Sequence, residues 1–161
     1  MLIRAATPGD VPLIRALERQ TETAAHWAER EYDALFAAEA FPRVTLVATS
    51  EADAGRVIGF AIAHCANAEW EIENLVVAPE ERNRGVGIKI IRELLLLAQS
   101  EGATSVLLEV RESNLAARRL YEKLGFSQQG RRSNYYREPE EDALLLCFYI
   151  TNLRQFGLEA E

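Results

Sequence analysis

The stretch "EERNRGVGIKII", from Glu80 to Ile91, decides how the rest of this sequence is interpreted. It places two glycines, Gly85 and Gly87, at the start of an apolar helical pattern. Glycine weakens a helix by roughly 0.5–1 kcal/mol relative to alanine. A plain surface helix does not need these glycines, so their position calls for another explanation.

A helix start with these residues is typical of a phosphate-binding loop. The first turn of a helix has unpaired N–H groups and a partial positive charge. Glycine lets a ligand approach that backbone closely, and three nearby basic residues add charge: Arg82, Arg84 and Lys89. The same pattern is also consistent with a tight turn whose charged side chains are solvated.

Two common phosphate motifs are excluded. The P-loop requires G-x-x-x-x-G-K-[ST], whereas here Lys89 follows Gly87 by two positions and Ile90 comes next. The dinucleotide fingerprint requires a third glycine where Ile90 stands, and an early βαβ unit that the sequence does not show.

The residues on both sides of this loop predict alternating strands and helices. Seven strands are predicted: "LIRAA", "RVTLVATS", "GRVIGFAIAHCANA", "EWEIENLVVAP", "TSVLLEV", "GFSQQGRRSNYY" and "ALLLCFYI", the last two as an antiparallel pair. In the fourth strand three glutamates alternate with Trp70 and Ile72, so one face is polar and the other apolar. This order predicts an α/β or α+β fold with helices on the faces of a sheet.

Four helices are predicted between these strands. The first is capped by Thr7 and runs to about Gln20, and the second covers "HWAEREYDALFAAEA". The third runs from about Val86 to Glu101 and is stopped by Gly102. The fourth, "NLAARRLYEKL", is capped by Ser113 and closed by Gly125. The final "TNLRQFGLEAE" is expected to fray.

Composition limits the class of protein. The 161 residues fit one domain, and 48% hydrophobic residues are enough for a core. A net charge of −7 argues against a general nucleic-acid binder. No signal peptide is recognised, and the longest charge-free run, Val57–Ala68, is too short to span a bilayer. We therefore expect a cytoplasmic protein without nucleic-acid or membrane partners.

Cysteines and histidines give no metal signature. Cys65 and Cys147 lie in apolar strand patterns, where we expect reduced core residues. The only histidines are His26 and His64, and no spacing suits a metal. No metal cofactor is predicted.

One family matches the loop and its context. "RNRGVG" resembles R/Q-x-x-G-x-G/A, the acetyl-CoA pyrophosphate motif of the GNAT family of N-acetyltransferases, and it follows the strand "NLVVAP" as in that family. "SNLAARRLYEKLGF" is similar to the family's last characteristic helix. The resemblance implies the GNAT fold: a mixed, mostly antiparallel sheet of six to seven strands, splayed at the acetyl-CoA site, with about four helices. It also implies one domain over residues 1–152 with a tail over 153–161.

Within the family, three stretches resemble the ribosomal-protein-alanine N-acetyltransferases, the RimI type. They are "LLEVRESNLAARRLYEKLGF", "GRRSNYYREPEEDALLL" and "AHWAEREYDALF". The last of these departs from the group, which has Pro-Trp-Ser where this chain has His26, Trp27 and Ala28. This departure leaves the acceptor's first residues open.

The resemblance implies two catalytic residues. Glu109, at the end of the strand "TSVLLEV", would be the general base, and Tyr121 the general acid. The alternatives from the residues alone are a strand-end Glu109 paired with Arg111 or Arg131, and a Tyr121 that serves the core. Because some family members carry the base on the preceding strand, Glu73 is a reserve base.

The resemblance also implies binding residues. Acetyl-CoA would be held by the strand, the loop and the start of the last helix: Leu75, Val76, Val77, Arg82, Asn83, Arg84, Gly85, Val86, Gly87, Ile88 and Asn114. The alternative for Asn114 is a bond to local backbone. The acceptor would be contacted by aromatic and acidic residues: Trp27, Glu71, Glu73, Tyr135 and Tyr136.

These roles predict an acetyl-CoA-dependent enzyme. Its expected acceptor is the α-amino group of a basic protein's N-terminus, the N-terminal alanine of a small-subunit ribosomal protein. Acetylation of a small free amine, such as a polyamine or amino acid, and a non-catalytic acyl-CoA-binding module are the alternatives. We expect a monomer or weak dimer.

Overall fold

The computed structural model describes residues 1–22, 24–37, 42–53 and 55–158. Within them, strands are β1 (Leu2–Ala5), β2 (Arg43–Thr49), β3 (Val57–Ala66), β4 (Glu69–Val77), β5 (Ser105–Arg111), β6 (Ser127–Tyr136) and β7 (Glu141–Tyr149). Helices are α1 (Val11–Arg19), α2 (Glu29–Asp33), α3 (Val86–Ser100) and α4 (Leu115–Lys123). None of the described helices has the length and apolar character needed to cross a membrane.

The strands form a mixed sheet in the order β1-β2-β3-β4-β5-β7-β6. The pairing of β4 with β5 is parallel, from Glu69 opposite Ser105 to Ile72 opposite Leu108. Antiparallel pairing joins β1 to β2, β2 to β3, β5 to β7 and β6 to β7. The predicted fold class and the predicted antiparallel pair are therefore confirmed.

The chain divides into two compact units, of which the first contains residues 1–65 and 73–94. Its core lies where α1 and the sheet meet, with Ile14, Phe60, Ile62 and Val76 almost fully buried. Gly59 on β3 allows close packing, because a Cβ there would lie 3.0 Å from both the Val76 carbonyl oxygen and the Ile90 side chain. This contact fixes the first turns of α3 against the strands.

The second unit contains residues 66–72 and 95–161. β7 lies between β5 and β6, with Glu109 opposite Leu145 and Leu145 opposite Gly130. Tyr121 and Phe126 are in edge contact in its core, with ring centres 5.3 Å apart.

The C-terminal segment belongs to this second unit. Leu153 and Leu158 are 2% and 6% exposed. The Phe156 ring lies so close to Gly125 that a Cβ there would come within 2.5 Å of it. The prediction that "TNLRQFGLEAE" frays is therefore wrong for residues 153–158, because apolar side chains dock them; residues 159–161 lie outside the described residues. The single-domain assignment over residues 1–152 stays a prediction.

Three local predictions need correction. The second helix begins only at Glu29 and gives way to a 3-10 turn, Ala34–Phe36, because His26 has a left-handed φ of 45° and Ala37 is extended. Its predicted last residues, 38–40, lie outside the described residues. Asn114 rather than Ser113 caps α4. Cys147 is buried as predicted, whereas Cys65 is only half-buried.

Candidate active site

The loop before α3 has the backbone of an anion cradle. Asn83 and Gly85 have left-handed φ angles of 59° and 80°. The Gly85 carbonyl accepts the first helical hydrogen bond from the Lys89 N–H, at 3.1 Å. A Cβ at Gly85 would meet no protein atom within 4 Å. The space next to this backbone is open, and the first N–H groups of α3 have no partner within the helix, so these residues fit a pyrophosphate.

The charged side chains of the loop are largely engaged with one another. Arg84 donates to Glu81 at 2.8 Å, and Arg56 pairs with Glu80. Arg82 donates from Nε to the Val77 carbonyl at 3.3 Å, which ties the loop to the end of β4. An arginine thus partners each of the two glutamates, and the backbone N–H groups at the start of α3 are the part of the loop that suits an anion.

β4 divides its residues between the core and a more exposed face. Leu75 and Val77 are half-buried, as is Glu73. Val76 is 1% exposed and packs in the core. Among the predicted acetyl-CoA contacts on this strand, Val76 could therefore contribute only backbone groups.

Glu109 on β5 has a partner that the sequence did not indicate. Its carboxylate Oε1 lies 2.9 Å from Nε of Arg132, and its side chain is 13% exposed. It also accepts a hydrogen bond from the Tyr135 hydroxyl. The alternative, in which Glu109 pairs with Arg111 or Arg131, is wrong. Arg111 pairs with Glu141, and Arg131 pairs with Glu112 and Asp142.

Tyr135 and Tyr136 lie beside this carboxylate. Their rings meet edge to face with centres 5.1 Å apart. The hydrogen bond to Glu109, together with burial and nearby negative charge that includes Glu71, raises the pKa of Tyr135. Burial and the Glu109 charge raise the pKa of Tyr136 to about 12. In the second unit, Glu109 thus lies close enough to both tyrosines to influence their pKa values, and Glu71 influences that of Tyr135.

Arg111 supports Tyr136 from the same strand as Glu109. Its guanidinium lies 4.2 Å from the Tyr136 ring centre. It donates to Glu141 at 3.0 Å and to the Pro139 carbonyl at 3.2 Å. These contacts hold the β6–β7 turn against β5 and give the tyrosine a fixed support.

Tyr121 shows features of both predicted roles. It is 5% exposed, and its ring packs against Phe126, as a core residue does. Burial, and then the charge of Tyr136, raise its pKa well above the usual range. The hydroxyl is protonated at neutral pH, and Tyr136 is the neighbouring group that influences it.

Asn114 bonds to local backbone, which is the alternative considered for it. Its Oδ1 accepts a hydrogen bond from the Ala117 N–H at 3.1 Å. Ser113, which the sequence favoured as the cap, instead donates from its N–H and hydroxyl to Glu141 at 3.1 and 2.9 Å. A role for Asn114 toward acetyl-CoA stays a prediction.

Glu73 and Trp27 are linked in the first unit through an arginine that sequence reasoning missed. Arg43 donates to both Glu73 oxygens, at 2.6 and 3.0 Å. The Arg43 guanidinium also lies 5.4 Å from the Trp27 ring centre. One guanidinium thus engages both oxygens of Glu73.

Arg43 in the first unit and Arg132 in the second were not identified from the sequence, and Arg111 was considered only as a partner of Glu109. Each contacts a predicted site residue on another strand. Arg43 pairs with Glu73, Arg132 pairs with Glu109, and Arg111 lies against the ring of Tyr136. No usable signal was present in the sequence, because each arginine contacts an acidic or aromatic residue on a strand that is not its direct neighbour in the sheet. Among the described residues, no group of three potential metal ligands is present.

Comparisons with known proteins identify the family of this chain. The sequence profile described as "Acetyltransferase (GNAT) family" matches residues 12–126. The [ribosomal protein bS18]-alanine N-acetyltransferase of Haemophilus influenzae is 36% identical over 98 residues, 59% of this chain and 66% of that protein. The protein of the same name from Escherichia coli K12 is 34% identical over 99 residues, 60% of this chain and 67% of that protein. The matched part thus spans about two thirds of these relatives' length.

Solved structures extend the similarity over nearly the whole chain. The ribosomal-protein-S18-alanine N-acetyltransferase from Escherichia coli superposes with a TM-score of 0.80 at 27% identity, covering 92% of this chain and 93% of that one. Ard1 from Thermoplasma volcanium gives a TM-score of 0.79 at 26% identity, covering 92% and 96%.

Proposed function

Because this chain belongs to the acetyltransferase (GNAT) family, we propose that it acetylates the α-amino group of a protein N-terminus with acetyl-CoA. The observation that carries the proposal is the Glu109 carboxylate, which is mostly buried and lies beside Tyr135 and Tyr136 on the strands of the second unit. The names of the relatives support the N-terminal alanine of a small-subunit ribosomal protein as acceptor.

The loop around Gly85 is the proposed binding site for the pyrophosphate of acetyl-CoA. When bound, acetyl-CoA supplies an activated acetyl group as a thioester. The N–H groups at the start of α3 would bind the phosphates, and the left-handed Gly85 leaves space for them. The half-buried face of β4, at Leu75 and Val77, would lie along the pantetheine.

Glu109 is the proposed general base. An α-amino group has a pKa near 7.7–8.0, so most of it is protonated at pH 7. Glu109 would take one ammonium proton, directly or through water, and free the nitrogen lone pair for attack. A lysine side chain, with a pKa near 10.4, is a harder target for the same base. Glu73 becomes the second choice because Arg43 engages both of its oxygens.

Tyr121 is the proposed proton donor to the departing sulfur. Its raised pKa keeps the hydroxyl protonated at neutral pH, which a donor requires. The same raised pKa makes the phenol a weaker acid, so proton transfer would have to accompany cleavage of the carbon–sulfur bond rather than precede it. The direct transfer needs no covalent enzyme intermediate, and Cys147 is buried.

The acceptor is proposed to bind between aromatic and acidic side chains. Tyr135 is 47% exposed and offers an aromatic surface, while Glu71 and Glu109 supply negative charge nearby. Such a surface suits a cationic N-terminus on a basic protein. We further propose a cytoplasmic location, because cysteines kept as thiols suit a reducing compartment, and a monomer or weak dimer.

The test is mass spectrometry after incubation with acetyl-CoA and an acceptor panel. The panel contains alanine-starting basic peptides, the same peptides with a blocked N-terminus and an internal lysine, and free polyamines. We expect acetylation of the free α-amino peptides alone, and its loss in Glu109→Gln. Acetylation confined to polyamines, or to lysine, would refute the proposal.

A further inference from the structure

We propose that Arg132 is a displaceable counter-ion of Glu109, which occupies the carboxylate until the α-ammonium group of the acceptor replaces it. This inference rests on the proposed function, because it takes Glu109 as the carboxylate that receives the acceptor. It assigns to Arg132 a role in controlling access of the acceptor, and not in the chemistry itself.

The two members of the ion pair differ in exposure. The Glu109 side chain is 13% exposed, whereas the Arg132 side chain is 57% exposed. The closest approach, 2.9 Å, joins Nε of Arg132 to Oε1 of Glu109. An ion pair with a solvent-exposed cation contributes little stability, so another cation can exchange with it readily.

Neighbouring arginines are held more firmly. Arg131, the next residue on β6, donates to Glu112 at 2.7 and 2.9 Å and to Asp142 at 2.8 Å. Arg111 is held by Glu141, by backbone carbonyls of the turn and by the Tyr136 ring. Arg131 thus has two carboxylate partners and Arg111 has one carboxylate and backbone carbonyls, whereas Arg132 contacts the proposed base and the ring of Tyr135.

Arg132 also has a second favourable position. Its guanidinium already lies 5.5 Å from the Tyr135 ring centre, within the range of a cation–π interaction. A guanidinium that leaves Glu109 can therefore remain on the exposed tyrosine ring without being fully solvated. The acceptor's ammonium would then enter between Glu109 and the displaced arginine.

The chemistry of the two cations explains why exchange is needed. A guanidinium does not lose its proton in a protein. Arg132 can therefore neutralise the charge of Glu109, but Glu109 cannot take a proton from it. An ammonium near pKa 8 can give up a proton. In the proposed step one N–H bond of the acceptor breaks, Glu109 takes the proton, and the amine keeps the electron pair. Arg132 keeps all of its protons throughout.

Steady-state kinetics of Arg132→Gln with an alanine-starting peptide tests this inference. Because the competing ion pair is a weak one, we expect the acceptor KM to fall about 3- to 5-fold at low ionic strength. We expect kcat and the acetyl-CoA KM to stay within about twofold of wild type, by the same reasoning. Added salt should reduce the difference, because it screens the pair in the wild-type enzyme.

Two variants serve as controls. Arg131→Gln removes the adjacent arginine, whose partners are Glu112 and Asp142, and should leave the acceptor KM unchanged. Arg132→Lys retains the positive charge and should restore an acceptor KM close to wild type. Thermal melts of all variants verify that each is folded under the assay conditions.

Each kinetic outcome decides the question. A higher acceptor KM in Arg132→Gln would mean that Arg132 binds the acceptor, and an unchanged KM would mean that it does not compete. A fall in kcat alone would make Arg132 a positioning residue for Glu109. These three outcomes overturn displacement and leave the proposed function intact, whereas a wild-type enzyme that acetylates no α-amino peptide overturns both.

Discussion

The effect of Gly85→Ala on ligand binding can be separated from its effect on folding, because Gly102→Ala is a matched control. Gly85 precedes α3 and Gly102 follows it, and both have a φ of 80°. A Cβ at either position would meet no protein atom within 4 Å. Alanine therefore introduces the same backbone strain at both glycines, with no steric clash in the ligand-free protein.

The expected cost to stability is equal for the two variants. A left-handed conformation costs an L-residue about 1–2 kcal/mol. For a chain of this size, that lowers the melting temperature by about 2–8 °C. The strain is present with and without ligand, so by itself it does not change the affinity for acetyl-CoA.

Only Gly85→Ala is expected to weaken acetyl-CoA binding. The new methyl group would occupy the open space beside the first N–H groups of α3, where the pyrophosphate is proposed to bind. Loss of one charge-assisted hydrogen bond costs about 1.5–3 kcal/mol, which corresponds to about a 10- to 100-fold higher Kd. Isothermal titration calorimetry measures this Kd. Wild-type affinity in Gly85→Ala, or equal losses in both variants, would refute the assignment of the loop.

Three further predictions concern the proposed base, the proposed acid and the stability of the fold. Glu109→Gln should lower kcat/KM mainly below about pH 8, where the acceptor is protonated, and Glu73→Gln should leave the pH–rate profile unchanged; the opposite result would make Glu73 the base. Tyr121→Phe should lower kcat about 10²- to 10³-fold without a large change in melting temperature, and an unchanged kcat would assign Tyr121 to packing alone. Arg4 holds the pKa of the buried Asp10 well below its usual range, so Asp10→Asn should cost about 2–3 kcal/mol at pH 7. That difference should shrink as pH falls below about 4, where wild type loses this stabilisation; urea titrations at pH 7 and pH 3 that give equal differences would contradict it.

The sequence was sufficient for features that depend on local patterns. Alternation of glutamate with Trp70 and Ile72 predicted a strand with one buried face, and both apolar residues are buried on β4. Gly102 and Gly125 predicted helix ends, and both adopt left-handed φ angles there. These predictions succeeded because each depends on residues within one turn or one strand of one another.

The sequence was insufficient where long-range pairing decides the outcome. Arg131 and Arg132 are adjacent on β6, yet they point to different partners, and only the register with β7 determines which arginine reaches Glu109. The Ser113 hydroxyl was drawn to Glu141, 28 positions later, so the helix cap passed to Asn114. Likewise, the extent of α2 depended on a left-handed φ at His26 that the sequence pattern did not signal.

The position of β7 between β5 and β6 affects how readily the protein aggregates while it folds. β5, with the apolar run "SVLLEV", meets β7 along its whole length, from Ser105 opposite Tyr149 to Arg111 opposite Ala143. Until the β6–β7 hairpin pairs with β5, the β5 edge exposes unpaired backbone groups next to apolar side chains. Such an edge is a template for association with other chains. Substitutions that loosen this hairpin would therefore appear first as aggregation during expression, before any catalytic defect could be measured.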